Sequence, residues 1–276
     1  MKKVFILSIL VLFVGSLLAL ESGPSEVVGF FKVSCTDGSY TPYSLPLTFY
    51  DATHTVTTAL NDIVGGQLTG GTNPSNSDVI LDKNSGQSAW YRSSTSVWVG
   101  ALATTGFTKT HAYYVSILSG NGDQDVYLAG TVEKEILDFG SMQVGFYNPI
   151  GFKEAGDKAV TDLGLIAAGF TGGTNPSNSD ILLNANTGQT AWYRSATSAW
   201  VGALATSGIT AGHAYYVYVH PTHTAFNWIY NPGTDGSDAI SKISTPPVPP
   251  VSKKAVNPVV KKEIETNKKV KYKKGD

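Results

Sequence analysis

The sequence predicts a mainly-β protein: two tandem β-sandwich or barrel-like modules, at most one short helix in each, and a disordered tail. Three observations carry this. A stretch of 50 residues recurs without a gap: Thr69–Leu118 aligns with Thr171–His220 at an offset of 102, with 35 identical positions. Self-similarity at that length marks a duplicated structural unit. Short alternating runs sit between Gly, Asn, Asp and Ser clusters, the pattern of strands joined by tight turns. The body is also rich in Gly, Thr, Ser and aromatic residues, a mix that favours strands over helices.

The elements follow in order. Lys2 and Lys3, the apolar run Val4–Leu20 and the small residues Gly15, Ser16 and Ala19 form a secretory signal over residues 1–20. An uncleaved anchor is the competing reading, because a spanning helix needs about 17–25 apolar residues. Module 1 is expected over 21–137 and module 2 over 138–244. Val27–Val33 and Tyr43–Phe49 read as strands. Val56–Val64 reads as a short helix stopped by Gly65 and Gly66, with Lys158–Leu165 as its weaker counterpart. Gly70–Ser77 is a turn-rich loop in which Asn73-Pro74 starts a turn. Strands are expected at Asp78–Leu81, Ser88–Arg92, Val97–Leu102, Ala112–Leu118 and Gln124–Ala129. Asn84–Gly86 and Asn186–Gly188 supply hairpin glycines. The second copy repeats this order and ends with Thr224–Tyr230. The identity is uneven: at the same offset Thr41–Leu68 and Gln143–Phe170 share almost nothing.

The rest of the chain differs in kind. Residues 245–252 carry Pro246–Val251, a stiff extended linker. Residues 253–276 carry charge without apolar periodicity, which predicts disorder. Glu21–Ser244 holds 9 Lys plus Arg against 18 Asp plus Glu, a balance of −9, whereas Thr245–Asp276 holds 9 Lys against 3 acids, a balance of +6. The tail lysines Lys253, Lys254, Lys261, Lys262, Lys268, Lys269, Lys271, Lys273 and Lys274 are therefore candidates for attachment to a cell-envelope polyanion or to another copy of the chain. An acidic exported body argues against nucleic acid. No segment after the signal is apolar enough to span a membrane. Cys35 is the sole cysteine, so it forms no intrachain disulfide and no thiolate cluster.

Candidate binding residues come from the repeat. Trp98, Trp200, Tyr91 and Tyr193 offer rings for sugar stacking or protein contact, and plain core packing is the competing reading. Arg92 and Arg194 are placed to stack on a ring or to pair with Asp78 or Asp180. In His111–Ile117, alternation puts His111, Tyr113, Val115 and Ile117 on one face and Ala112, Tyr114 and Ser116 on the other. The oxygen-rich loops ending at Asp78 and Asp180 suggest Ca2+, but each offers one carboxylate where Ca2+ takes six to eight oxygens. Asx-turns explain them with fewer assumptions. No catalytic residues are expected: no G-x-S-x-G elbow is present, and His220-Pro-Thr-His223 is not the helical zinc-protease pattern. No cofactor is expected.

Ser44-Leu45-Pro46-Leu47, Gly66-Gln67-Leu68-Thr69-Gly70-Gly71, the Trp-bearing strand and Ala211-Gly212-His213-Ala214-Tyr215-Tyr216-Val217 together resemble modules of large secreted proteins of environmental bacteria. The resemblance covers Tyr40–Leu118 and, more weakly, Phe146–Val219. The first copy departs from it at Lys109-Thr110 and His111-Ala112. It implies extracellular display and β-structure, and supplies no catalytic residues. The sequence thus points to a non-catalytic extracellular structural or adhesion protein, with a carbohydrate-binding module pair as the alternative and a secreted hydrolase as a distant third.

Overall fold

The computed structural model describes residues 28–132, 135–153 and 156–232. Strands dominate. Module 1 contains β1 (Val28–Cys35), β2 (Tyr40–Tyr43), α1 (Leu60–Ile63), β3 (Val79–Asp82), β4 (Ser88–Arg92), β5 (Val97–Val99), α2 (Ala101–Thr105), β6 (Tyr113–Ser116) and β7 (Gln124–Thr131). Module 2 contains β8 (Leu137–Met142), β9 (Tyr147–Gly151), α3 (Leu165–Ala168), β10 (Ile181–Asn184), β11 (Thr190–Arg194), β12 (Ala199–Val201), α4 (Ala203–Ser207), β13 (Ala214–Tyr218) and β14 (Phe226–Tyr230). Each module is a five-stranded antiparallel sheet and a two-stranded one. The orders match: β2-β6-β3-β4-β5 with β1-β7, and β9-β13-β10-β11-β12 with β14-β8. Among the described residues no helix is long and apolar enough to cross a membrane. The signal, linker and tail lie outside the described residues.

Register explains why the early halves look unrelated. Tyr43 pairs with Tyr113, and Ile150 with Tyr215. The offset is therefore 107 before the loop and 102 after it, so module 2 is five residues shorter between β9 and the repeated loop. At the new offset Tyr40 meets Tyr147 and Pro42 meets Pro149.

Three expectations need correction. The strand expected over Tyr43–Phe49 ends at Tyr43. Pro46 has no N–H for a ladder, and the Ser44 N–H is used elsewhere. The strand expected over Val97–Leu102 ends at Val99, because Gly100 turns the chain at φ 123° and α2 follows. A side chain at Gly100 would press on the Ser88 carbonyl. Hence each module has two short helices, not one. The helix expected at Val56–Val64 shrinks to Leu60–Ile63. Its counterpart is a 3-10 turn at Val160–Leu163 running into α3.

The inner face of each large sheet packs into its own core. Ile80, Ala89, Tyr113, Val115 and Ile117 fill one, and Leu182, Ala191, Tyr215, Val217 and Val219 fill the other. Tyr113 packs its ring on Tyr43 and on the edge of Phe107. Burial raises the pKa of Tyr113, and pushes that of Tyr215 up to about 12, so both phenols stay neutral. The deepest tryptophans are not equivalent. Trp98 is buried in module 1, with Nε1–H donating to the Gly65 carbonyl at 2.8 Å. In module 2 Trp228 is fully buried and donates to the Leu163 carbonyl at 3.0 Å, where module 1 has Val126.

The modules belong to one compact unit, and their contacts are reciprocal. Ser44 N–H donates to the Gly212 carbonyl and Gly151 N–H to the Thr110 carbonyl, both at 2.8 Å. Asn84 Nδ2 donates to the Pro149 carbonyl (2.7 Å) and Asn186 Nδ2 to the Pro42 carbonyl (2.6 Å). Tyr114 and Tyr216, equivalent residues, share a hydroxyl–hydroxyl bond of 2.9 Å. Such self-complementary pairing is that of a two-fold interface, here formed within one chain.

Glu135, between β7 and β8, clamps both modules. It pairs with Lys109 of module 1 at 2.7 Å and with the fully buried Lys153 of module 2 at 2.5 Å. Burial pushes its carboxyl up, but hydrogen bonds from Lys109 and Lys153 outweigh this and hold the pKa below the usual value. A lowered folded pKa gives stability that is present above the unfolded value of about 4.3 and lost as pH falls through the folded one. Glu135→Gln is expected to cost about 1–3 kcal/mol at pH 7, since removing one partner leaves a buried ammonium with less compensation. The variant should also lose less stability than the parent between pH 5 and 3. Urea melts across that range check both; parallel pH profiles would refute the clamp.

Candidate functional site

The repeated loop is built for structure. Asn73 and Asn175 each cap a 3-10 turn, accepting from the N–H of Ser75 or Ser177. Asn76 or Asn178 completes a reciprocal capping box. The loop's oxygens are thus engaged within the loop, as an Asx-based turn requires.

Asp78 and Asp180 are fully buried hubs. Asp78 accepts from Thr69 N–H (2.8 Å), Leu118 N–H (2.9 Å), Asn121 Nδ2 (2.8 Å) and Gln124 Nε2 (2.7 Å). Asp180 accepts from Thr171 N–H (2.7 Å) and His220 N–H (2.8 Å), and its third partner is His223 Nδ1 (2.7 Å). These carboxylates tie the loop to the chain after β6 or β13, which gives their repetition a structural reason.

The other sequence-derived candidates divide. Trp98 is only 4% exposed and presents no free face. Tyr91 lies against it at 5.7 Å between ring centroids, and Tyr193 against Trp200 at 5.6 Å. Trp200 is half-buried, and Phe170, standing where module 1 has Leu68, packs on it at 5.0 Å. Arg92 stacks over Trp90 at 5.2 Å and Arg194 over Trp192 at 5.3 Å. Both loop carboxylates are occupied by other donors, so of the two roles considered for these arginines stacking is the one present. In each module the Tyr–Trp pair therefore lies on one face of the sheet, and the arginine, next along the strand, alternates to the other face with Trp90 or Trp192.

Exposed aromatics stand elsewhere, and the sequence reading missed them: Phe30, Tyr40 and Tyr127 in module 1, and Phe146 and Tyr147 in module 2, where they form a cluster. On the outer face of the module 2 sheet, Tyr218 pairs across to Tyr147 and Ile181, and Tyr216 to Pro149 and Leu183. The Tyr147 ring contacts Tyr218 at 4.9 Å and Tyr216 at 6.1 Å. Phe146, beside them, is 68% exposed and Tyr147 54%. The turn that presents them is fixed by Asn148. Its Oδ1 accepts from Gln143 N–H, and its Nδ2 lies within reach of the Gln143, Phe146 and Val217 carbonyls. Module 1 has Ser39, Tyr40 and Ser116 at the corresponding places. The available signal was the alternation Tyr216-Val217-Tyr218, which puts two tyrosines on the face opposite the buried Val217.

Histidines are paired with polar side chains. His111 Nδ1 lies 2.8 Å from the buried Asp82 carboxylate. Burial opposes ionisation of Asp82, yet hydrogen bonds from His111, Ser85 and Asn84 keep its pKa below normal. In module 2 the pair is Asn184 and His213 at 3.0 Å, and burial lowers the His213 pKa against a pull from Asp157. No hydroxyl or thiol hydrogen-bonds to the His111 ring among the described residues. Burial raises the Cys35 thiol pKa to about 11, which keeps it a poor nucleophile. The tail lysines lie outside the described residues. No protein-family model, no curated protein and no solved structure matches this chain.

Proposed function

We propose that the chain is a non-catalytic extracellular structural or adhesion protein. The paired modules act as one body, exported by the N-terminal signal and attached through the lysines of residues 253–276 to a polyanionic envelope polymer or to another copy. The observation that supports this most is how the repeated polar residues are used. Asp78 and Asp180, Asn84 and Asn186, and Tyr114 and Tyr216 all serve the fold or the module pairing. A repeated catalytic or metal site would instead leave such groups facing solvent or a cleft. Cosedimentation of the signal-free chain with isolated envelope polymer is the test. Binding is expected at low salt, with loss of at least tenfold when the chain ends at Ser244 or when salt is raised. Equal binding without the tail would refute the attachment.

A second reading, carbohydrate binding, is favoured by the exposed rings of Phe146 and Tyr147 beside the half-buried Tyr218, since rings stack on sugars at small entropic cost. It moves the contact away from Trp98. A polysaccharide pull-down should then fail for Tyr147→Ala with Tyr218→Ala while tail truncation leaves it intact.

A further inference from the structure

We infer that His220 and His223 form a surface site for a divalent transition-metal ion such as Zn2+. Both stand in a tight turn closed by His223 N–H donating to the His220 carbonyl at 2.9 Å, with Pro221 stiffening it. A tetrahedral ion holds two imidazole nitrogens at about 2.0–2.1 Å, which sets their ring centroids roughly 5 Å apart. The two centroids here are 5.1 Å apart.

The remaining hydrogen bonds leave one nitrogen on each ring for the ion. His223 Nδ1 lies 2.7 Å from Asp180, whose buried carboxylate can only accept, so Nδ1 carries the proton and Nε2 keeps its lone pair. A carboxylate behind a histidine in this way orients the ligand and raises its basicity. His220 Nδ1 accepts from the Thr222 N–H at 3.3 Å and lies 2.9 Å from the Thr222 hydroxyl. Binding an ion through Nε2 moves the ring proton to Nδ1, which then donates to the hydroxyl in exchange for the longer N–H bond. Among the described residues no group of three or more His, Cys, Asp or Glu could hold a metal. The chain therefore supplies two ligands, and water or a donor from another molecule completes the shell.

Module 1 is an internal control. It has Leu118 and Asn121 at the two positions, and Asn121 Nδ2 donates to Asp78 at 2.8 Å, as His223 meets Asp180. The site is therefore particular to module 2, and its removal has a built-in template. Titration of the untagged chain with Zn2+ by calorimetry at pH 7.5 is expected to give one site per chain. The ring signals of His220 and His223 should move in NMR spectra while those of His54, His111 and His213 stay. His220→Leu with His223→Asn, the residues module 1 uses, should weaken binding at least tenfold with the melting temperature preserved. His220→Leu alone keeps the Asp180 contact and should weaken binding likewise. No binding at millimolar Zn2+, or undiminished binding by folded His220→Leu protein, would overturn the assignment.

Discussion

Asp78→Ala is expected to lower the unfolding free energy by about 3–5 kcal/mol, because it deletes several hydrogen bonds to a charged group, each worth about 1.5–3 kcal/mol, against the desolvation cost of burying that charge. The carboxylate has no exposure and gathers two backbone N–H groups and two side-chain amides from the loop, the end of β6 and the start of β7. Alanine leaves the Leu118 N–H and the Asn121 amide without that acceptor, while the exposed Thr69 N–H keeps Gln124 Oε1 at 3.2 Å; an unmet donor away from water costs about 1–3 kcal/mol. Asp78→Asn keeps the shape and one acceptor oxygen but turns an NH2 towards donors, so its loss should fall between alanine and the parent. Asp180→Ala should cost a similar amount in module 2. Urea denaturation followed by tryptophan fluorescence measures all three. A change below 1 kcal/mol for Asp78→Ala would show that the loop is held by its caps and not by this hub.

Gly151→Ala should separate the modules. A Cβ at Gly151 would overlap the His111 carbonyl oxygen and crowd the Ser44 side chain, both in module 1. A backbone carbonyl cannot swing aside as the end of a long side chain can. The Gly151 N–H bond to Thr110 is made at the same spot, so the strain cannot be relieved without losing it. Overpacking costs about 1–3 kcal/mol where neighbours can shift. Here the shift takes the Ser44–Gly212 and Tyr114–Tyr216 bonds with it. Spin labels on cysteines replacing Thr95 and Thr197, both exposed, should give a longer and broader distance distribution in the variant. Cys35, buried and with a raised pKa, should not interfere. An unchanged distribution would mean that the interface yields without opening.

Alternation made much of this legible in advance. It sorted His111, Tyr113, Val115 and Ile117 from Ala112, Tyr114 and Ser116; from Tyr113 onward the inner group is buried, but before β6 the order fails, with His111 partly exposed and Ala112 fully buried. The mainly-β class and the two modules followed from the repeat. Where local pattern failed, a non-local contact had taken over. The run Tyr43–Phe49 looks like a strand, but its ladder is broken by Pro46 and by Ser44 bonding to the other module. Val97–Leu102 alternates properly, yet Gly100 at positive φ ends the strand. The Trp98 and Trp200 pair looked equivalent by identity, yet Trp98 is buried with its N–H on the Gly65 carbonyl and Trp200 is half-buried against Phe170. The pairing of modules was beyond reach, because Asn84, Tyr114 and Gly151 carry no mark in the sequence that says what they touch. Phe146 and Tyr147 were missed because the offset of 102 failed to align their segment with Tyr40.

The self-complementary interface also has a consequence for concentration. Two free modules meeting through a few hydrogen bonds, a tyrosine pair and close glycine contacts would compete with the entropy of association and come apart on dilution. Here the partner is delivered by the few residues between Thr131 and Leu137, and a short connection sets an effective concentration in the millimolar range whatever the bulk concentration. The pairing is therefore independent of how sparse the chain is. The extracellular role proposed above would gain from this, because dilution outside a cell leaves the pairing intact.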